Sequence, residues 1–152
     1  MSDIQFTPIV PAQLYAGLVK NPSKDARRLS GFVKENVLSG NNYIDLFADK
    51  VRTYGKGEAR AYAKIMGVDY RYFDGAIRCL TGMTVHGWIT EYLRLVACDL
   101  VEHTNYTFKD IAKMLGFSQS SFTQFFRKYV HMQPWEYRNL KRHGRKSSFF
   151  YS

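Results

Sequence analysis

The sequence has no apolar run approaching the about 20 residues that a membrane-spanning helix needs. Its N-terminus, MSDIQFTPIV, lacks the basic stretch and apolar core of a secretory signal. Cysteine is scarce too, because Cys79 and Cys98 are the only two. Both lie in apolar helical patterns, where a cysteine is expected to act as a small core residue, and two cannot staple a domain of this size. These absences favour a reduced, cytoplasmic protein that does not span a membrane.

Acidic residues are also few. The chain has 13 of them against 22 lysines and arginines, which gives a net charge of +9 and a pI near 9.6. This excess favours an acidic partner, with nucleic acid first and an anionic membrane second. A length of 152 residues with 45% apolar side chains fits one domain with a buried core, or two very small domains packed together.

Residues with the spacing of a catalytic or metal site are missing. The sequence has no glycine-rich phosphate loop, no serine–histidine pairing and no acidic pair at useful spacing. The four histidines have neither zinc-site spacing nor cysteine partners: His86, His103, His131 and His143. We therefore expect no enzyme activity, no cofactor and no metal.

The stretch from Phe108 to Arg138 has the pattern of two short helices joined by a turn. Gly116 ends the first helix, since glycine takes the left-handed backbone of a tight turn, and Ser118 is a good N-cap for the second. Aromatic residues at 3–4 spacing give the second helix an apolar stripe: Phe122, Phe125, Phe126 and Tyr129. This layout fits a helix-turn-helix, and an ordinary helical hairpin with a solvated polar face fits it equally well.

A second copy of this pattern lies 49 residues earlier and needs no gap. Gly67 aligns with Gly116, and the N-cap candidate Asp69 aligns with Ser118. The core positions align as well: Phe73 with Phe122, Ile77 with Phe126, and Trp88 with Tyr137. The repeat favours a tandem helix-turn-helix over a single hairpin.

The remaining segments complete an all-α prediction. A helix over 85–103 spans about 27 Å, which is near the ~34 Å separating successive major-groove faces on one side of B-DNA. Further helices are predicted over 25–38 and 43–54, and Pro134 begins a last one. The predicted divisions are a partly helical N-terminal extension (1–42), a first unit (43–84), a linker helix (85–103), a second unit (104–146) and a tail (147–152).

Two such units joined by a long helix resemble the DNA-binding domain of the AraC/XylS family of bacterial transcription regulators. The more specific match is IAKMLGF at 111–117, then Phe122, Phe126, Pro134 and Glu136-Tyr137-Arg138. The resemblance covers about residues 43–143. It implies a monomeric all-helical domain that reads double-stranded DNA across two adjacent major grooves.

The resemblance also implies which side chains face the DNA bases. They are Tyr70, Arg71, Asp74 and Gly75 in the first unit, and Gln119, Ser120, Thr123 and Gln124 in the second. The sequence departs from the family in that His131 stands where a glycine is favoured after the recognition helix. It also departs in having Asp74 and Gly75 where longer hydrogen-bond donors are common, and a second turn as short as the first.

Charge separates the two units. Residues 58–84 hold four basic and three acidic residues, whereas residues 109–146 hold nine basic residues against Asp110 and Glu136. Phosphate neutralisation supplies much of the affinity for DNA, so we expect the second unit to anchor binding. The expected phosphate contacts are Arg78, Lys109, Arg127, Lys128, Arg138, Lys141 and Arg142. In the first unit, Arg71 is the strongest candidate base reader.

The sequence therefore predicts a DNA-binding transcription regulator that acts with the nucleoid, with RNA polymerase as a further candidate partner. The alternative is an accessory or protein-interaction module that keeps the fold without specific DNA binding.

Overall fold

A computed structural model describes the backbone of residues 7–150 and the side chains of residues 7–143. This part of the chain holds seven α-helices and no extended strand, as the all-α prediction requires. Their bounds are α1 Asn42–Tyr54, α2 Ala59–Met66, α3 Tyr70–Thr81, α4 Val85–His103, α5 Phe108–Leu115, α6 Gln119–Val130 and α7 Pro134–Phe150.

The helices begin and end where the sequence supplies capping groups. The predicted N-caps are confirmed, because the Asp69 carboxylate accepts from the Arg71 amide and the Ser118 hydroxyl accepts from the Ser121 amide. The turn glycines behave as expected too, since Gly67 and Gly116 end α2 and α5 in the left-handed conformation with φ of 71° and 90°.

The structure keeps the 49-residue repeat in its helix bounds. A shift of 49 residues carries α2 onto α5 and α3 onto α6 at both ends, and carries the start of α4 onto the start of α7. The same shift carries the end of α1 at Tyr54 onto the end of α4 at His103. The second half of α4 therefore occupies the position in the second unit that α1 occupies in the first. The linker helix is thus shared by both units.

One hydrophobic core runs through both units. Phe73, Ile77, Phe122 and Phe126 are fully buried, which confirms them as the inner faces of α3 and α6. Trp88 lies at the centre, stacked on Tyr92 at 5.8 Å and tilted against Phe47 at 5.0 Å between ring centroids. Of the two cysteines expected in the core, Cys98 is half-buried and Cys79 is exposed on α3.

The two units touch directly at the turn before α2. The Lys56 amide donates to the Leu115 carbonyl oxygen at 2.9 Å. Gly55 has a φ of 72°, and a Cβ there would lie 2.8 Å from the same oxygen. Only glycine allows this approach without displacing backbone, so the α1–α2 turn is fitted against the end of α5.

The N-terminal segment differs from its prediction. No α-helix forms over 25–38, where the structure has a single 3-10 turn at Leu29–Gly31, and a second turn lies at Pro11–Gln13. Leu18 and Val33 instead pair in an isolated antiparallel bridge, with the Val19 amide donating to Phe32 and the Lys34 amide to Gly17. β-branched residues favour this extended backbone, and the bridge partner lies too far along the chain for a local pattern to show.

This segment, residues 7–40, is called the N-terminal arm below and lies against α1 and α4. The Trp88 indole N–H donates to the Ile9 carbonyl oxygen at 2.9 Å, and the Tyr15 hydroxyl donates to Asp99 at 2.7 Å. The Tyr92 hydroxyl donates to Asn36 at 2.5 Å. The arm is thus part of the folded domain.

The last helix bends at His143, whose φ and ψ are −128° and 17°. The side chains of 144–150, including Arg145 and Lys146, lie outside the described residues, and so do residues 151 and 152 of the predicted tail.

Candidate nucleic-acid interface

Helix α6 presents the polar face that its sequence predicts. Gln119, Ser120 and Gln124 are exposed, while Phe122 and Phe126 are buried on the opposite side. Thr123 is half-buried, and its hydroxyl donates to the Gln119 carbonyl oxygen at 3.1 Å. The two glutamine amides and the Ser120 hydroxyl are therefore the exposed donors and acceptors of this face, and Gln119 and Gln124 lie more than one turn apart.

The positive charge of α6 lies at its C-terminal end. Arg127 and Lys128 are exposed and line an open groove with Gln124 and Glu136. His131 ends the helix with a φ of 67°, and it is the one non-glycine residue at positive φ in the part of the chain that the structure describes. It takes the conformation that Gly82, its equivalent in the first unit, adopts with a φ of 71°.

Helix α3 offers fewer free groups than α6. Arg71 and Gly75 are exposed, as expected for groove-facing positions. Tyr70 is half-buried beneath the Arg60 guanidinium, which lies 4.3 Å from its ring centroid, so much of that ring is occupied in packing. Tyr72 is 64% exposed and meets Tyr43 edge to face.

Asp74 and Arg78 form an ion pair on α3. The Arg78 Nε lies 3.0 Å from the Asp74 carboxylate, with 59% of the arginine side chain and 27% of the aspartate side chain exposed. A pair this exposed contributes little to stability. Its larger effect is local neutralisation, because the carboxylate offsets the charge of the arginine that the sequence assigned to phosphate.

Arg138 binds protein backbone. Its Nε–H donates to the Val101 carbonyl oxygen at 2.7 Å and an Nη2–H donates to the Tyr106 carbonyl oxygen at 2.8 Å. The guanidinium also lies 4.6 Å from the ring centroid of Phe108. Burial and the neighbouring Arg142 lower the pKa of Arg138.

Arg142 is held in the same way one turn later. Its guanidinium donates to the Glu102 carbonyl oxygen at 3.0 Å, to the Asn105 side chain at 2.9 Å and to the Thr104 carbonyl oxygen. Together Arg138 and Arg142 cap the C-terminal end of α4, where carbonyl groups lack helical partners and favour cations. Of the other expected phosphate contacts, Lys109 and Lys141 are exposed, and the Lys141 ammonium lies 5.4 Å from the Tyr137 ring centroid.

This capping role escaped sequence reasoning because each contact spans more than 30 residues of chain. The one local signal is the presence of cations near a helix end, and it does not say which helix they cap.

Among residues 7–143 no three histidine, cysteine or acidic side chains are arranged to hold a metal ion. No described helix is long and apolar enough to cross a bilayer.

Sequence comparison places the chain among helix-turn-helix proteins. A family profile described as a helix-turn-helix domain, of the AraC type, matches residues 62–140, which is more than half of the chain. The match runs from α2 into α7 and so takes in helices of both units. No curated protein matches the chain by sequence.

Structural comparison finds the same fold in solved domains. The C-terminal domain of the two-component response regulator yesN from Fusobacterium nucleatum is 18% identical with a TM-score of 0.59, covering 64% of this chain and 99% of that one. The C-terminal domain of AraT, a response regulator from Geobacillus stearothermophilus, is 23% identical with a TM-score of 0.51, covering 55% and 69%. The DNA-binding domain of AdpA, a global transcriptional factor solved with a target DNA, is 27% identical with a TM-score of 0.55, covering 60% and 84%.

Proposed function

Because the chain belongs to the AraC/XylS family of helix-turn-helix transcription regulators, we propose that it binds double-stranded DNA sequence-specifically through α3 and α6. The observation that supports this most directly is the face of α6. Exposed glutamine amides at Gln119 and Gln124 are followed on the same helix by exposed Arg127 and Lys128, and the opposite side is buried. Base-reading donors backed by phosphate-binding cations are what a recognition helix requires.

The two helices would enter adjacent major grooves and contribute unequally. On α6 the base-reading groups are Gln119, Ser120 and Gln124, with Thr123 presenting a hydroxyl already engaged with backbone. Arg127 and Lys128 would bind phosphate, joined by Lys109 and Lys141. On α3, Arg71 carries the base reading, while Tyr70 and Asp74 are occupied by Arg60 and Arg78. Hence α6 would anchor the complex and α3 would refine the choice of site.

The occupied groups on α3 also favour a second candidate function, an accessory module that keeps the fold without reading DNA. If Arg71 alone is free for base reading, the first unit could act as scaffold, and binding by one unit would be weak and nonspecific. Both candidates predict a basic, folded domain, so only binding measurements separate them.

The test is selection of a bound site from random duplexes, followed by affinity measurements on the selected and a random duplex across a salt series. A sequence-specific protein is expected to keep its preference for the selected duplex as the salt concentration rises. The logarithm of its binding constant should fall linearly with the logarithm of the salt concentration. Absence of binding to any duplex at low salt would contradict DNA binding, and equal affinity for both duplexes would support the accessory role.

Gln124→Ala tests the recognition helix itself. Loss of a bidentate amide contact should weaken the selected site by about 1–3 kcal/mol and relax one base position, with no change on random DNA. Asn139→Ala is the matched control, because it removes an exposed amide from α7. If the two variants behave alike, α6 does not read bases.

A further inference from the structure

The N-terminal arm forms one wall of a groove whose other wall is α5. Six arm residues line it on one side, and four residues of α5 and the loop before it line it on the other: Pro22, Ser23, Lys24, Ala26, Arg27 and Phe32, and Tyr106, Asp110, Lys113 and Met114. We call this the arm groove. Two arm cations, Lys24 and Arg27, line it opposite Lys113 of α5.

Aromatic contacts hold the arm in this position. Phe32 packs edge to face on Tyr106 with ring centroids 6.1 Å apart, which ties the arm to the α4–α5 loop. Arg28 lies over the Tyr54 ring at 4.6 Å, which ties it to the end of α1. The Ala26 amide donates to the Ser23 carbonyl oxygen at 3.1 Å and closes a turn between them. Lys24 and Arg27 therefore project from a segment fixed against both units.

The groove carries an excess of positive charge. Lys24, Arg27 and Lys113 are all exposed, and Asp110 is the acidic residue that faces them. Within residues 7–143 none of these three cations is part of an ion pair. Asp25 is next to Lys24 in the chain, but it does not line the groove. Three cations thus share a surface with one carboxylate and have no protein partner there.

The arm groove lies beside the helix that is expected to meet the DNA backbone. The first helix of a helix-turn-helix crosses the DNA backbone while the second enters the groove, and α5 is the first helix of the second unit. Lys109 lies one turn before Lys113 on the same side of α5. The arm groove therefore continues the surface on which α5 would meet phosphates.

We propose that the N-terminal arm is a phosphate clamp: Lys24 and Arg27, with Lys113, bind the DNA backbone flanking the site read by α6. This inference rests on the proposed function and extends it, because the arm lies outside the helix-turn-helix units. The clamp adds affinity without base readout and lengthens the DNA that the protein covers.

The experiment compares Lys24→Ala/Arg27→Ala with wild type on the selected duplex and on random DNA across a salt series. Each lost phosphate contact reduces the slope of log binding constant against log salt concentration by about 0.9 in magnitude. The slope for the double variant should therefore be smaller by about 1.8. Affinity should fall by the same factor on both duplexes, leaving sequence preference intact. Lys34→Glu is the control, since it also changes net charge by two and lies on the arm outside the groove.

Flanking DNA provides a second readout. Shortening the selected duplex from each end in turn should weaken wild type at the end that the clamp covers, and it should leave the double variant nearly unchanged there. The clamp is refuted if the double variant keeps the wild-type slope, or if Lys34→Glu lowers it equally. Failure of the wild type to bind any duplex would refute the proposed function instead, so the two failures are distinguishable. Thermal melting of each variant confirms that it is folded.

Discussion

Asp74 bears most directly on the role proposed for the first unit in DNA binding. Its carboxylate lies on the face of α3 that would approach phosphates, and it holds Arg78 at 3.0 Å. The i, i+4 spacing of Asp74 and Arg78 in the sequence is compatible with an ion pair on one face of a helix. It does not say whether Arg78 turns toward DNA or toward Asp74, because that depends on side-chain rotamers.

Asp74→Ala should therefore strengthen DNA binding. Removing the carboxylate abolishes a repulsion and frees Arg78 for phosphate, a gain on the order of 1 kcal/mol, or about fivefold, at moderate salt. Fold stability should change by less than about 1 kcal/mol, because the ion pair is exposed. Affinity at two salt concentrations and a melting curve check this, and a loss of affinity would show that Asp74 accepts a hydrogen bond from a base.

Arg71 is the complementary case, since it is exposed and has the geometry for a bidentate guanine contact. Arg71→Ala should cost about 1–3 kcal/mol on the selected site and relax preference at one base pair. Lys64→Ala, which removes an exposed cation from α2, should weaken all duplexes alike. Preference left intact by Arg71→Ala would make the first unit a scaffold.

The helix ends show how far element-scale prediction reaches. The turns after α2 and α5 could be predicted from Gly67 and Gly116, because a glycine that follows an apolar helical pattern is a local signal for a left-handed helix end. The cap on α4 is supplied by Arg138 from another helix, so no window of sequence contains both partners. The bridge between Leu18 and Val33 escapes prediction for the same reason, since the apolar spacing of 25–38 taken alone predicts a helix.

Arg138→Ala distinguishes a helix cap from a phosphate contact. Loss of charge-assisted hydrogen bonds to Val101 and Tyr106 should destabilise the fold by about 1.5–3 kcal/mol, while the salt slope of DNA binding stays unchanged. Denaturant unfolding and salt titration measure the two effects. A reduced slope with unchanged stability would assign Arg138 to phosphate.

His131 and Gly82 form a natural comparison, because each ends the second helix of its unit in the left-handed conformation. His131→Gly should stabilise the domain by about 1 kcal/mol, since glycine adopts this backbone without steric cost. Gly82→Ala should destabilise it by a similar amount. Melting temperatures check both changes, and a stabilising Gly82→Ala would contradict the argument.

For the whole molecule, the sequence predicts the tandem architecture but not that the N-terminal arm packs on it. The 49-residue repeat, the glycine turns and the aromatic stripes define two units around α4. That Trp88 and Tyr92 would donate to Ile9 and Asn36 of the arm could not be predicted, because these are contacts across 79 and 56 residues. The predicted extension is thus part of the fold, and its charged groups were not among the candidate site residues.

Deleting residues 1–40 should therefore destabilise the units themselves. The Trp88 indole N–H and the Tyr92 hydroxyl would lose their acceptors, and apolar surface on α4 would be exposed to water. In a Trp135→Phe background, where Trp88 is the sole tryptophan, its fluorescence should shift to longer wavelength and unfolding should occur at lower denaturant. Unchanged emission and stability would mean that the arm is dispensable.

The close contact between Gly55 and Leu115 would make DNA binding depend on the spacing between the two half-sites. With the units held by one continuous helix and by a backbone approach that admits no side chain, the distance and angle between α3 and α6 are set by the protein. One base pair inserted between the two half-sites would advance the second by ~3.4 Å and turn it by about 34°, since B-DNA repeats every 10–10.5 base pairs. The protein would therefore bind weakly to a DNA site in which both half-site sequences are correct but the spacing between them differs by one base pair.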